Sequence, residues 1–197
     1  MTYLLGLTGS IGMGKSTTAA LFAAEGIAVW DADGAVHRLY GPAQPAAVAI
    51  AQIFPEAIVD GAVSRQVLRG LMACDPAVLD RIQTIVHPLV AADRAGFLAL
   101  HLDEIVLLDI PLLYETGADR FCDGVVVVTA PQDVQRSRVL SRGQMTQAEF
   151  DMILSRQMPD AEKRARATWV VETLSLDLAR AAVRAILAEI CQRIADA

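Results

Sequence analysis

The 197-residue chain has no asparagine and only two lysines, Lys15 and Lys163, among its 17 basic residues. Aromatic residues make up 5% of it, and the three cysteines, Cys74, Cys122 and Cys191, form no C-x-x-C pair. Each shortage excludes something. Without asparagine there is no Asn-Lys-x-Asp motif to read guanine, which excludes a GTPase of the usual kind. Scattered cysteines in odd number support no disulfide framework and predict buried, reduced thiols. The amino-terminal residues lack a charged segment followed by a long apolar core, so no signal peptide is expected. No run of 18 uncharged apolar residues exists to predict a membrane span. A net charge of −6 without a basic tail argues against non-specific nucleic-acid binding and against a polybasic membrane anchor. The expectation is a soluble, cytoplasmic protein with no nucleic-acid or membrane partner. The arginine and alanine excess is what a GC-rich gene writes. Against that background each retained lysine raises the question of what arginine could not do there.

The hydrophobic fraction is 54%, enough to exclude disorder, and a chain of this length buries roughly 70% of its unfolded surface without a disulfide or metal. Short apolar runs alternate with longer amphipathic stretches, the signature of βα units around a parallel sheet. The runs predict strands at Tyr3–Leu7, Ile27–Trp30, Ile105–Asp109, Gly124–Thr129 and Trp169–Glu172, with helices near Ser16–Ala24 and Leu176–Ile194. Between the second and third strands some 70 residues read as helical throughout: Pro45–Phe54, Ser64–Cys74, Pro76–Val86, then a break at His87-Pro88 and a further helix to about His101. That is more than a crossover requires and predicts an inserted lobe able to receive a substrate. Thr146-x-x-Glu149 is a capping box that restarts a helix after a break at Arg142-Gly143-Gln144-Met145. With arginines on both sides, this helix–turn–helix predicts a lid.

Gly9-Ser10-Ile11-Gly12-Met13-Gly14-Lys15-Ser16 matches G-x-x-x-x-G-K-[ST], the phosphate-binding P-loop. At average composition it arises by chance in roughly 1% of chains this long, and here it falls between a strand and a helix. Gly12, Met13, Gly14, Lys15, Ser16 and Thr17 are the candidates for holding ATP. Glycines let backbone N–H groups surround phosphate oxygens, and the following helix points its positive end at them. Lys15 reaches the β- and γ-phosphates as a compact charge where a planar guanidinium would not fit. The Ser16 hydroxyl is a ligand for Mg²⁺. Asp109, ending the third strand, is placed to support that Mg²⁺ directly or through water, or serves as a helix cap. Asp31 and Asp33 follow the second strand. Asp33 is the better candidate to orient an acceptor hydroxyl and take its proton, and is also a candidate cap for the next helix. Arg136, Arg138 and Arg142 read either as lid residues closing over the transferring phosphoryl group or as an exposed, salt-bridged face.

With these residues in place the sequence resembles the dephospho-CoA kinase family from Leu5 to about Val183. The resemblance rests on residues 6–16, Asp31-Ala32-Asp33, Asp60-Gly61 with Arg65, and His87-Pro88. It continues through Leu108-Asp109-Ile110-Pro111-Leu112-Leu113-Tyr114-Glu115 and Gln157-Met158-Pro159 with Lys163. It implies a P-loop, three-layer α/β/α fold with a five-stranded parallel sheet. The core would be about 1–40, 103–135 and 168–197, the helical substrate-binding insertion about 41–102, and the lid about 136–167, all one kinase domain. It further implies transfer of the ATP γ-phosphoryl group, with Mg²⁺, to the ribose 3′-hydroxyl of dephospho-CoA, the last step of coenzyme A synthesis. Lys15, Asp33 and Arg142 would be catalytic, with Arg138 also in the lid. Arg65, His87, Leu113 and Glu115 would join Asp33 on the acceptor. A homo-oligomer is compatible with all of this. Another small-molecule P-loop kinase and an ATP-binding regulatory module that transfers nothing are the rival readings.

Overall fold

In a computed structural model, residues 2–102, 104–143 and 145–196 are described. The chain opens with β1 (Tyr3–Thr8), α1 (Lys15–Ala24) and β2 (Ala28–Asp31). It continues with α2 (Ala32–Leu39), α3 (Pro45–Ala51), β3 (Ile58–Val59), β4 (Ala62–Val63), α4 (Arg65–Cys74) and α5 (Ala77–Ala99). Then follow β5 (Ile105–Asp109), β6 (Gly124–Thr129), α6 (Gln132–Leu140), α7 (Gln147–Ser155), α8 (Asp160–Arg166), β7 (Trp169–Glu172) and α9 (Leu176–Ala195). Two compact units result: residues up to Trp30 together with those from His101 onward, and Asp31–Leu100.

The first unit is built on a five-stranded parallel sheet of order β2-β5-β1-β6-β7, the α/β/α layering the sequence predicts. The uninterrupted valines of β6 reflect its position inside the sheet, where every one of its residues is buried. Leu5, Leu7, Leu107, Val126 and Val128 of the sheet pack with Phe22 of α1 and Val183, Ile186 and Ile190 of α9 in one core. The spacing of those α9 residues places them on one helical face. None of the described helices is long and apolar enough to cross a membrane.

The second unit differs from its sequence reading in two places. A hairpin interrupts the helices: Ile58 pairs with Val63 and Val59 with Ala62. Its turn residues Asp60 and Gly61 have φ of +51° and +78°, the two successive positive values that Asp-Gly supplies to a tight hairpin turn. Pro88, expected to end a helix, lies inside the single helix α5. A proline there removes one backbone bond at a cost of about 3 kcal/mol. Val78, Ile82 and Val86 are buried on one face of α5, with Val90 packed alongside. At roughly 1.5–3 kcal/mol for each fully buried side chain, that stripe outweighs the lost bond. Exposed Cys74 and Cys191 also depart from the expectation of buried thiols, while Cys122 is half-buried; among the described residues none of the three forms a disulfide.

Candidate active site

In the parallel register of β1 and β5, Leu7 stands opposite Asp109. The loop leaving β1 at Gly9 therefore begins beside the residue that ends β5, at the carboxyl edge where α/β sheets place their ligands. Gly14 is the N-cap of α1 in the left-handed conformation, φ +89°, and a Cβ there would press on the Thr173 side chain at 3.0–3.2 Å. Only glycine satisfies both conditions. No side chain caps α1 and its first turn holds no acidic residue. The first N–H groups of the helix are thus left to an external anion, with the helix dipole reinforcing them.

Lys15 Nζ lies 2.6 Å from Asp109 Oδ1, and Asp109 is only 5% exposed. Ser16 and Thr17 are exposed on the same helical turn. Polar contacts hold the loop from behind. The Ile11 N–H donates to Gln157 Oε1 at 3.0 Å, and Gln135 Nε2 donates to the Ile11 carbonyl at 2.7 Å. Thr173 Oγ1 donates to the Met13 carbonyl at 2.8 Å. The Met13 side chain, 2% exposed, accepts the Ala130 N–H on its sulfur at 3.1 Å. Gln135, Gln157 and Thr173 were not among the sequence candidates. Gln135 carries a faint signal, standing four residues before buried Val139 on one face of α6; the other two carry none outside the family resemblance.

Arg138 donates from Nη1 to Thr173 Oγ1 at 2.9 Å and from Nη2 to the Thr173 carbonyl. Its guanidinium is therefore fixed in place. Arg142 lies beyond the end of α6 and is exposed. Both arginines line a cavity of about 390 Å³ with Gly12, Gly14, Thr17, Thr173 and Leu174. Arg136 instead forms an exposed 3.9 Å pair with Asp151. The capping box at Thr146 and Glu149 is formed, and Glu149 is held below the usual carboxylate range by the Thr146 N–H and hydroxyl. Gln144, part of the predicted break, lies outside the described residues.

The acceptor-side candidates separate more sharply. Asp31, not Asp33, caps α2: its Oδ1 accepts the Asp33 N–H at 3.0 Å. The reason is geometric, since a capping side chain bonds the N–H two or three positions onward from the last extended residue. The Asp33 carboxylate is exposed on the first turn and, among the described residues, has no partner. Arg65 opens α4 and stacks 5.8 Å from the Tyr40 ring centroid. Both line an open groove of about 430 Å³ with Val36, Leu68, Arg69 and Met72. His87 is exposed on α5.

Two expectations are corrected. Leu113 is fully buried, packed within reach of Gly6 in β1; it is a core residue with no surface for a substrate. Glu115 is turned inward, its Oε1 lying 2.8 Å from Nζ of fully buried Lys163 and 2.8 Å from the Met158 N–H that it accepts. Burial pushes the Glu115 carboxyl up, but Lys163 and the Met158 N–H outweigh burial and hold it below its ordinary value. Between these two, Tyr114 is 6% exposed with its hydroxyl unpartnered, and burial pushes that hydroxyl up to about 12 against the pull of Arg166 over its ring.

Among the described residues there is no cluster of three or more His, Cys, Asp or Glu able to hold a metal. One buried carboxylate and one hydroxyl, Asp109 and Ser16, are a donor set suited to Mg²⁺, which binds through one or two carboxylates together with substrate phosphates.

The family model described as dephospho-CoA kinase matches residues 3–176. The dephospho-CoA kinase of Cereibacter sphaeroides is 60% identical over 99% of this chain and 98% of its own length. That of Ruegeria pomeroyi is 53% identical over 96% of each. A crystal structure of TT1252 from Thermus thermophilus superposes with a TM-score of 0.83 at 37% identity, covering 95% of this chain and 97% of the other.

Proposed function

The chain belongs to the dephospho-CoA kinase family, and on that premise we propose how its residues carry out the transfer of the ATP γ-phosphoryl group to the ribose 3′-hydroxyl of dephospho-CoA, in the cytoplasm, as the last step of coenzyme A synthesis. The observation that carries the reading is the Gly9–Ser16 loop running into the uncapped start of α1, with Lys15 resting on Asp109. The β-phosphate takes the free N–H groups of that turn. Lys15 turns from Asp109 to the β- and γ-phosphate oxygens, and Asp109 and Ser16 are the residues that would hold Mg²⁺. Held there with ATP, the ion would neutralise charge developing on the phosphates.

Arg138, fixed by Thr173, offers a flat guanidinium face for the adenine in the adjoining cavity. Arg142 supplies positive charge to the transferring group from the lid. Asp33, exposed and unpartnered, orients the acceptor 3′-hydroxyl. As that oxygen bonds to the γ-phosphorus, the bond to the β–γ bridging oxygen breaks, ADP leaves, and the hydroxyl proton passes to the Asp33 carboxylate. The groove lined by Val36, Leu68 and Met72, with Arg65 and Arg69 at its rim, suits an apolar pantetheine arm joined to a pyrophosphate. His87, exposed on α5, remains a candidate contact to the acceptor.

A coupled ADP-release assay with Mg-ATP tests this against dephospho-CoA, adenosine, AMP, shikimate and gluconate in parallel. Turnover of dephospho-CoA at least a hundredfold above the rest is expected. Comparable turnover of any other acceptor contradicts the assignment.

A further inference from the structure

The second lysine of the chain is more deeply buried than the first, and the mechanism above does not use it. Lys163 is 0% exposed. It sits in α8, whose start is pinned to the sheet by Thr129 Oγ1 donating to Asp160 Oδ2 at 2.9 Å. Its ammonium lies 2.8 Å from Glu115 Oε1, and that same oxygen accepts the Met158 N–H at 2.8 Å. The neighbouring residue, Gln157, accepts the Ile11 N–H of the phosphate loop at 3.0 Å, while Gln135 donates to the Ile11 carbonyl at 2.7 Å. Ile11 is therefore gripped through both flanking peptides. The grip on its N–H side depends on where the 157–158 backbone is placed. Two residues on, Met13 N–H donates to the Ser10 carbonyl at 3.1 Å, so a displacement at Ile11 is carried into the turn that presents the loop's N–H groups.

We propose that Lys163 is a positioning residue for nucleotide binding: through Glu115 and the Met158 amide it aims the Gln157 carboxamide at Ile11 and so sets the shape of the phosphate loop. A buried charge pair adds little net stability over neutral residues of the same shape, and its best-attested use is to fix register. Here the register is that of the 157–158 strap against the loop. An arginine's longer, planar head suits this fully enclosed site poorly, where the ammonium is ion-paired with a single carboxylate oxygen and meets no other hydrogen-bond acceptor. Glu115 thereby leaves the set of acceptor-binding candidates and joins the support of the ATP site.

The inference rests on the loop being the ATP site, and its test reads nucleotide affinity directly as well as catalysis. Gln157→Ala removes one neutral hydrogen bond, expected to weaken ADP binding by calorimetry, and to raise the KM for ATP, about 3- to 10-fold. Lys163→Met combined with Glu115→Gln removes both charges together and leaves no ion unpaired. It is expected to give a rise of the same size, with the KM for dephospho-CoA unchanged. Adding Gln157→Ala to that pair should produce no further loss, since all three act through one contact. The inference is overturned by parent-like ADP affinity in either variant, by equal rises in both KM values, or by effects that multiply. If the paired variant does not fold, Glu115→Gln alone takes its place beside Gln157→Ala, and parent-like ADP affinity in it overturns the inference; Gln157 is a half-buried residue outside any helix. Failure of the kinase reading is a separate result: the unaltered protein would bind ADP and transfer nothing to dephospho-CoA.

Discussion

Removing the Lys15 charge alone, and then together with its partner, separates what that lysine does for folding from what it does for transfer. Lys15 and Asp109 have side chains 17% and 7% exposed and lie 2.6 Å apart. At an effective dielectric near 20 the gross attraction at that distance is about 6 kcal/mol, most of it cancelled by desolvation. Lys15→Met deprives a buried carboxylate of its cation, which typically costs about 3–5 kcal/mol. For a chain of this size each kcal/mol moves Tm by roughly 2–4 °C, so a fall of about 6–20 °C is expected. Lys15→Met with Asp109→Asn removes the buried carboxylate charge as well and should recover most of that loss. Neither variant should transfer phosphoryl groups, because no ammonium reaches the β- and γ-phosphates. Thermal melts followed by circular dichroism, beside a coupled ADP assay, read both quantities. A Lys15→Met protein as stable as its parent, or a double variant no more stable than the single one, would refute the account of the pair.

The remaining expectations concern residues with distinct duties. Asp33→Asn should lower kcat about 10²- to 10³-fold while leaving the KM for ATP alone and stability within about 0.5 kcal/mol, since the residue is exposed; steady-state kinetics and a melt check this. Tyr114→Phe should stabilise the protein by about 1 kcal/mol in urea unfolding, because it removes a buried hydroxyl with no partner. The same change should flatten the alkaline limb. The folded tyrosine titrates at about 12 against an ordinary 10.0, so the stability that its neutral form supplies is complete below pH 10 and lost between these values. Glu115 gives the acid counterpart: its folded value lies below the ordinary 4.5. The stability it contributes is present above that ordinary value and disappears as pH falls through the lowered one. A stability profile of the Lys163→Met, Glu115→Gln protein should lack this loss.

Much of the first unit could be read from the chain because its signals are local. The strands at 105–109 and 124–129 are continuous apolar runs, and the P-loop is a spacing whose chemistry dictates where the strand stops and the helix starts. The inserted unit was harder for physical reasons. Asp60-Gly61 is a strong hairpin signal, but its strands have only two residues each, too few for an alternating pattern to show among helices. Pro88 is a true local breaker overruled by the stripe Val78, Ile82, Val86 and Val90, which becomes visible only once α5 has neighbours. At the site, Lys15, Asp109 and Ser16 were legible because the P-loop spacing and the end of a strand mark them locally. Gln135, Gln157 and Thr173 serve the loop instead, and contacts spanning more than 100 residues leave no period in a sequence. Lys163 was conspicuous by rarity and by its place in the family resemblance, neither of which gave it a role; its partner Glu115 supplies the reason.

The most direct test of the central claim is the stoichiometry of one reaction: Mg-ATP and dephospho-CoA incubated with the protein, with ADP and the phosphorylated product quantified together and the new phosphate located by ³¹P NMR. One ADP for each product molecule, with the phosphate on the ribose 3′-oxygen, is the predicted result. ADP formed without phosphorylated product, or a phosphate on any other oxygen, would contradict the account.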